Sequence, residues 1–149
     1  MNIMKKPIIA VLAVIQNEQG QILGVSRKHD KNDFGLPGGK VDLGEDIFNA
    51  MVREVKEETN LEVISCEPLY FGMTDEGKAH VCVYLVTEYK GDIGTDEEGI
   101  VMWVDWETVK KGTYGEFNKS VEEVWTMFLN KKKYYEKYHR KNAQEIRIS

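Results

Sequence analysis

The chain has 149 residues, of which 42% are hydrophobic and 30% are charged, with 20 Lys and Arg against 25 Asp and Glu and a formal net charge of −5. This composition argues against a disordered, collagen-like or coiled-coil protein. The length predicts one domain, residues 1–149, whose core needs neither disulfides nor a structural metal. Residues 130–149 carry seven Lys and Arg against two Asp and Glu, a net +5, which leaves −10 on residues 1–129. An acidic body argues against a nucleic acid as partner, and a polyanionic substrate would need a divalent cation beside it.

The cysteines and the N-terminal residues indicate the cellular compartment of the protein. Cys66 and Cys82 lie in apolar, strand-like segments without a CxxC pattern, which predicts free thiols in a reducing, cytoplasmic compartment. The apolar run at residues 8–15 follows two lysines but is too short for a membrane span and has no cleavage site after it. It is therefore predicted to be a buried strand, and no membrane association is expected.

The first half of the chain predicts two strands, a loop and a helix. Segments 8–15 and 22–26 are rich in β-branched residues and flank a turn at 17–20, which predicts a hairpin-like pair. A polar stretch at 29–34 leads into Gly35-Leu36-Pro37-Gly38-Gly39, where three glycines and a proline indicate a structured loop. Residues 42–59 have a helical composition.

The second half predicts three more strands and a long helix. Strands are expected at residues 63–73, 79–89 and 100–105. Residues 118–139 form the expected last helix, because Val121, Val124, Trp125 and Phe128 repeat with helical spacing. No repeat or second domain is indicated.

The helix at 42–59 places acidic side chains in an unusual position. At about 100° per residue, Glu54 and Glu58 lie about 20° either side of Ile47, among the apolar positions, and Glu57 lies beside them. Carboxylates there repel one another and are costly to bury, unless hard cations such as Mg²⁺ or Mn²⁺ bind them. Arg53 is adjacent and can pair with Glu57. The sequence thus predicts a cation site with converging carboxylates.

The glycine-rich loop before this helix predicts the other half of a site. Glycines allow backbone N–H groups to approach an anion closely, and the helix N-terminus adds a favourable dipole. Gly38 and Gly39 are therefore candidate contacts for a diphosphate held against the cations.

The residues from Gly39 to Leu61 resemble the Nudix box, Gx5Ex7REUxEExGU, where U is a bulky aliphatic residue. Gly39, Glu45 and the run Arg53-Glu54-Val55-Lys56-Glu57-Glu58 match it, and Asn60 replaces the last glycine. Asn is the next-best residue after Gly for a left-handed helix end. A looser resemblance extends over residues 7–110.

The resemblance implies an α/β fold, specifically a Nudix-type α/β/α sandwich with a mixed sheet, to which the long C-terminal helix is added. It implies an enzyme in which water attacks a phosphorus of a nucleoside diphosphate-linked substrate, with Mg²⁺ or Mn²⁺ bound by Glu54, Glu57 and Glu58. Gly39 is a further candidate metal ligand, Glu45 supports the site, and Arg53 belongs to the catalytic group. The base is Glu57, Glu58 or a loop glutamate, for which Glu97 and Glu98 are candidates; a solvated turn is the alternative for those two.

The substrate is only partly narrowed by the sequence. Segment 102–107 is similar to the region where the MutT-like branch reads a purine, so Trp103 is expected to stack on a base and Asp105 to hydrogen-bond its edge. The alternative for Trp103 is a plain core residue, and Arg27 is either a phosphate contact or a surface arginine.

Three functional hypotheses follow. The first is hydrolysis of a (d)NTP, including oxidised purines, to NMP and pyrophosphate. The second is the same chemistry on ADP-ribose, another nucleoside diphosphate derivative or a dinucleoside polyphosphate. The third is a non-catalytic nucleotide sensor that uses its basic C-terminal segment, residues 130–149, to bind nucleic acid. The expected partner is a small nucleotide, and a homodimer stays open.

Overall fold

The computed structural model describes residues 6, 8–94 and 99–148, which form seven strands, three α-helices and a 3₁₀ turn at Asp75–Gly77. The strands are β1 (Ile8–Ile15), β2 (Ile22–Arg27), β3 (Asp30–Gly35), β4 (Gly38–Lys40), β5 (Glu62–Thr74), β6 (Ala79–Lys90) and β7 (Val101–Val104). The helices are α1 (Ile47–Thr59), α2 (Trp106–Lys110) and α3 (Gly115–Ile148).

The strands form two sheets. A four-stranded mixed sheet has the order β4-β1-β6-β5, with β1 parallel to β6 and antiparallel to β4. A three-stranded antiparallel sheet has the order β3-β2-β7. The predicted turn at residues 17–20 joins β1 to β2 and is closed by the antiparallel bridge Gln16–Ile22, but beyond this bridge the two strands belong to different sheets. Both edges of β1 are already occupied by β4 and β6, so β2 pairs elsewhere.

Helices cover both faces of the mixed sheet. On one face, Val11, Ala13 and Ile15 of β1 pack with Ala50, Met51 and Val55 of α1. On the other face, Val14 packs in a second core that contains Trp106 and Val109 of α2 and Phe117 and Val121 of α3. The alternation along one strand therefore separates two cores. The predicted α/β/α sandwich with a mixed sheet and a long C-terminal helix is confirmed.

Several boundaries differ from the prediction. Helix α1 begins at Ile47, because Asp46 is its N-cap and accepts a hydrogen bond from the Phe48 amide at 2.7 Å. The polar stretch at 29–34 contains strand β3, a sheet edge whose first residues are exposed. Helix α2 was not expected, and α3 extends beyond both ends of the predicted 118–139.

The end of α1 agrees with the expectation for Asn60. This residue is left-handed, with φ 69° and ψ 4°. Its side-chain amide donates to the Asp92 carbonyl at 3.2 Å, so it also ties the helix end to the loop after β6.

Cys66 and Cys82 are free and half-buried, and burial raises the pKa of both thiols. Among the residues that the structure describes, none of the helices combines the length and apolar character needed to cross a bilayer.

Gly38 allows a close approach between β4 and β1, which gives a stability prediction. A Cβ at this position would lie 2.0 Å from the Val11 carbonyl oxygen, whereas one at Gly35 would meet nothing within 4 Å. We expect Gly38→Ala to lower the free energy of unfolding by about 1–3 kcal/mol, the usual range for overpacking. Chemical denaturation measures this, with Gly35→Ala as the matched control, which should change it by less than about 0.5 kcal/mol. Equal effects of the two substitutions would contradict the assigned contact.

Candidate active site

Arg53 lies at the centre of the acidic site. Its Nε and Nη2 donate to the two oxygens of Glu45 at 2.7 and 2.9 Å. Its Nη1 donates to Glu54 at 2.9 Å and to Glu57 at 3.2 Å. The Lys40 carbonyl accepts from Nη2 at 3.3 Å. All five N–H bonds of the guanidinium are therefore used, and the predicted pair of Arg53 with Glu57 is present.

Glu45 is the carboxylate that Arg53 holds most closely. It also accepts a hydrogen bond from the Asp42 amide at 3.1 Å. The hydrogen bonds from Arg53, followed by the one from the Asp42 amide, lower the pKa of Glu45 from 4.5 to about 2. The same interactions raise the pKa of Arg53, first through its hydrogen bonds with Glu45. Glu45 therefore anchors the arginine and does not face the cavity described below.

The other three glutamates differ in environment. The Glu54 side chain is 15% exposed, and that of Glu57 is 59% exposed. Glu58 is half-buried, and its Oε2 accepts a hydrogen bond from the Gly38 amide at 3.3 Å. The angular positions predicted for α1 are thus reproduced in part, because Glu54 and Glu58 are partly covered and Glu57 is exposed.

Gly39 lets the β4 backbone lie against Glu54. A Cβ there would lie 2.6 Å from the Glu54 carboxyl carbon. Gly39 pairs with Val11 on β1, so the sheet fixes the glycines and α1 fixes the acids. The glycine loop and the acidic helix are therefore in contact, as the sequence predicts.

Among the described residues, no three acidic, His or Cys side chains are grouped so that they could hold one metal ion. Arg53 holds Glu54 and Glu57, which separates them from Glu58 at the Gly38 amide. Glu97 and Glu98 lie outside the described residues.

A cavity of about 350 Å³ opens beside these residues. Gly38, Gly39 and Glu58 line it, together with Arg27, Phe117 and Asn118. Its other walls come largely from β1, β3 and the start of β6. The cavity thus joins the glycine strand and one acidic side chain to the first turns of α3.

Asn118 is an unusual wall residue. It is 1% exposed, and its Nδ2 donates to the Val109 carbonyl at 3.1 Å. Its Oδ1 is buried and has no partner among the described residues. Because the Val109 carbonyl requires a donor, it fixes which end of the amide is the oxygen. An unpaired buried acceptor is costly unless a ligand donates to it.

Arg27 lies in the cavity wall beside Asp33, with Nε and Oδ2 3.8 Å apart, and its guanidinium is 6.0 Å from the Tyr114 ring centre. Asp33 accepts from both the hydroxyl and the amide of Thr113, and these bonds lower the pKa of Asp33. The turn before α3 is thus fixed to β3. The structure brings Arg27 to the cavity.

Trp103 and Asp105 do not line this cavity. Trp103 pairs with Leu23 on the face that packs toward α1, and its ring lies 6.3 Å from that of Tyr89. Asp105 is exposed at the N-cap of α2. Strand alternation accounts for this position of Trp103, because the cavity is lined largely by residues of the other core. Base stacking by Trp103 and hydrogen bonding by Asp105 stay predictions.

A family model described as the NUDIX domain matches residues 6–124. The chain belongs to the Nudix family. An 8-oxo-dGTP diphosphatase of Haemophilus influenzae is 34% identical over 119 residues, which cover 74% of this chain and 86% of that protein. An ADP-ribose pyrophosphatase of Methanocaldococcus jannaschii is 34% identical over 98 residues, 62% of this chain, and the chain spans only 57% of that relative. The MutT protein structure from Methanosarcina mazei Go1 has 26% identity and a TM-score of 0.66, covering 82% of this chain and 97% of that one.

The pairing of Glu45 with Arg53 gives a pH prediction for this Nudix protein. A carboxyl whose pKa falls from 4.5 to about 2 on folding contributes stability above pH 4.5, and that contribution is lost as the pH falls through about 2. We therefore expect Glu45→Gln to destabilise the fold near neutral pH and to do so progressively less below pH 4.5. Denaturation of both proteins across this range tests the pairing. Glu123→Gln, an exposed helix position, is the control, and a pH-independent difference for Glu45→Gln would refute the assignment.

Proposed function

We propose that this Nudix protein is a pyrophosphohydrolase of nucleoside triphosphates, which releases a nucleoside monophosphate and pyrophosphate, and that oxidised purine nucleotides are its preferred substrates. The observation that carries the proposal is one cavity that has Gly38, Gly39, Glu58 and Asn118 in its wall, together with the buried Oδ1 of Asn118, which has no partner among the described residues. The free thiols of Cys66 and Cys82 agree with action in the cytoplasm.

The donor atoms are of the kind that Mg²⁺ or Mn²⁺ binds, although no three acidic side chains of the described residues are grouped around one point. The candidate ligands are the carboxylates of Glu54, Glu57 and Glu58 and the Gly39 carbonyl, all of them oxygens, as hard cations prefer. A Cβ at Gly39 would fill the space against Glu54, and Arg53 supplies one positive charge to several carboxylates. When bound, the cation neutralises phosphate charge and acidifies water.

The chain's own residues position the phosphates and move the proton. Gly38 and Gly39 place backbone groups against the phosphate chain, and Arg27 contributes a positive charge from the wall of the same cavity. Glu58 is oriented by the Gly38 amide and accepts a proton from the attacking water. The oxygen of that water bonds to phosphorus as the bridging P–O bond breaks, and the bridging oxygen leaves with the departing phosphate group. We choose Glu58 over Glu57 as the base because Glu58 lines the cavity and Glu57 does not.

Asn118 gives a reason for a preference for oxidised purines. An 8-oxoguanine base carries an N–H at position 7, where guanine has only an acceptor lone pair. The buried Oδ1 of Asn118 can accept from that N–H but is left opposite another acceptor when guanine binds. A site whose own buried polar group is paired by one substrate and left unpaired by another discriminates strongly between the two substrates. The H. influenzae relative, an 8-oxo-dGTP diphosphatase, supports this direction.

The acidic residues give the first activity prediction. We expect Glu58→Gln to lower kcat for nucleotide hydrolysis by about 10²–10⁴-fold, the usual contribution of a general base, and Glu57→Gln to be compensated in part by more Mg²⁺. Pyrophosphate release with a nucleotide panel and added Mg²⁺ measures both. Glu123→Gln on the exposed side of α3 is the control and should keep full turnover. If Glu57→Gln and Glu58→Gln both turned over normally, the assigned mechanism would be wrong.

Asn118 gives the second activity prediction. We expect Asn118→Leu to lower the ratio of kcat/KM for 8-oxo-dGTP over dGTP by about tenfold or more, because a hydrogen bond in a buried site contributes about 1.5 kcal/mol. Tyr114→Phe also changes the cavity wall but leaves Oδ1 in place, so this control should keep the ratio. A ratio that is unchanged in Asn118→Leu, in a variant that still folds, would remove Asn118 from base recognition.

ADP-ribose hydrolysis is the second candidate, supported by the M. jannaschii relative. The same panel distinguishes it, because ADP-ribose yields AMP and ribose 5-phosphate without pyrophosphate. Nucleotide binding without turnover of any substrate would favour a sensor instead.

A further inference from the structure

Helix α3 is much longer than the surface it packs on. It runs from Gly115 to Ile148, 34 residues, or about 51 Å at 1.5 Å per residue. Its last hydrophobic contacts with the core come from Trp125 and Phe128, and every residue from 131 to 138 is exposed. We call residues 130–148 the tail helix; it lies beyond residues 6–124, where the family resemblance is found.

The tail helix is rich in positive charge. Residues 130–148 carry seven Lys and Arg against Glu136 and Glu145. The side chains of Lys131, Lys132, Lys133 and Lys137 are all exposed. Lys133 and Lys137 lie four residues apart, where like charges repel, and an anionic partner would relieve this repulsion.

Aromatic side chains interrupt the lysines. Tyr134, Tyr135 and Tyr138 are 73%, 62% and 54% exposed. Exposed aromatic rings beside basic residues are the combination with which proteins bind single strands, because the rings stack on bases and the cations follow the phosphates.

We infer that the tail helix binds single-stranded nucleic acid. Its charge is complementary to a polyanion, and its tyrosines offer flat surfaces that an anionic lipid or an acidic protein would not need. A membrane helix would carry Leu, Phe or Trp on its apolar side, and residues 130–148 contain none of these.

The charge contribution is tested with a fluorescein-labelled single strand of about 20 uridines by anisotropy on the full chain, between about 50 and 200 mM salt. We expect binding that weakens steeply with salt. The triple change Lys132→Gln, Lys133→Gln and Lys137→Gln should weaken it by about 100-fold near 0.1 M salt and reduce the log–log salt slope by about 2. The matched control removes the same charge from the exposed body positions Lys31, Lys78 and Lys119 and should have a much smaller effect.

The aromatic contribution has its own readout. We expect Tyr134→Gln to weaken binding by about tenfold without changing the salt slope, because stacking releases no counterions. Nucleotide hydrolysis should be unaffected by any tail variant, so that this inference and the proposed function fail independently.

Three results would overturn the inference. The first is no binding at the lowest salt concentration. The second is an equal loss in the tail variant and its body control. The third is that phosphatidylserine vesicles, or a second copy of the chain in sedimentation, bind the tail helix while the labelled strand does not.

Discussion

The acidic site depends on one guanidinium. Glu54, Glu57 and Glu58 lie three and four residues apart on one helix, an arrangement that is destabilising when the charges are uncompensated. Arg53 donates to two of them and is itself held by Glu45. A lysine could not replace it, because only the planar fork offers five donors in fixed directions and keeps its charge at every accessible pH. Its hydrogen bond to the Lys40 carbonyl also joins α1 to β4, so the acidic side chains and the glycines are held next to each other.

The crowding around β1 determines where the cavity can form. Both edges of this strand are paired and both of its faces are covered, by α1 on one side and by the α2–α3 pair on the other. The cavity lies where Ile8, Ala10 and Leu12 of β1 adjoin the short edge strand β4, whose glycines line it together with Glu58. Asn118 reaches the same cavity because the turn before α3 is fixed to β3 by Thr113 and Asp33.

Features governed by short-range rules could be predicted from the sequence. The α1 acids, the Arg53–Glu57 pair and the left-handed Asn60 follow from helix geometry and backbone preference. Three features could not be predicted, because each depends on residues distant in sequence. They are the strands with which β2 pairs, the sheet face on which Trp103 lies, and the position of Asn118 in the cavity wall. Strand β3 was missed since its polar residues occupy an exposed edge, where no hydrophobic alternation is required. Asn118 offered no signal at all: its importance comes from one oxygen that packing leaves unpaired.

The charges around the cavity explain how a chain of net charge −5 can act on an anion. Four charged residues line the cavity, Arg27 and Lys40 against Asp33 and Glu58, and their formal charges cancel. The group behind the glycines, Glu45, Glu54 and Glu57 with Arg53, adds a formal −2. The described side chains at this end of the cavity therefore repel a polyphosphate more than they attract it. Favourable binding then requires added positive charge beside the acids, which is the contribution that oxygen-bound divalent cations make. The acidity of α1 therefore agrees with the proposed dependence of substrate binding on a divalent cation, and the opposite charge of the tail helix, which lies beyond the core contacts of α3, has no part in it.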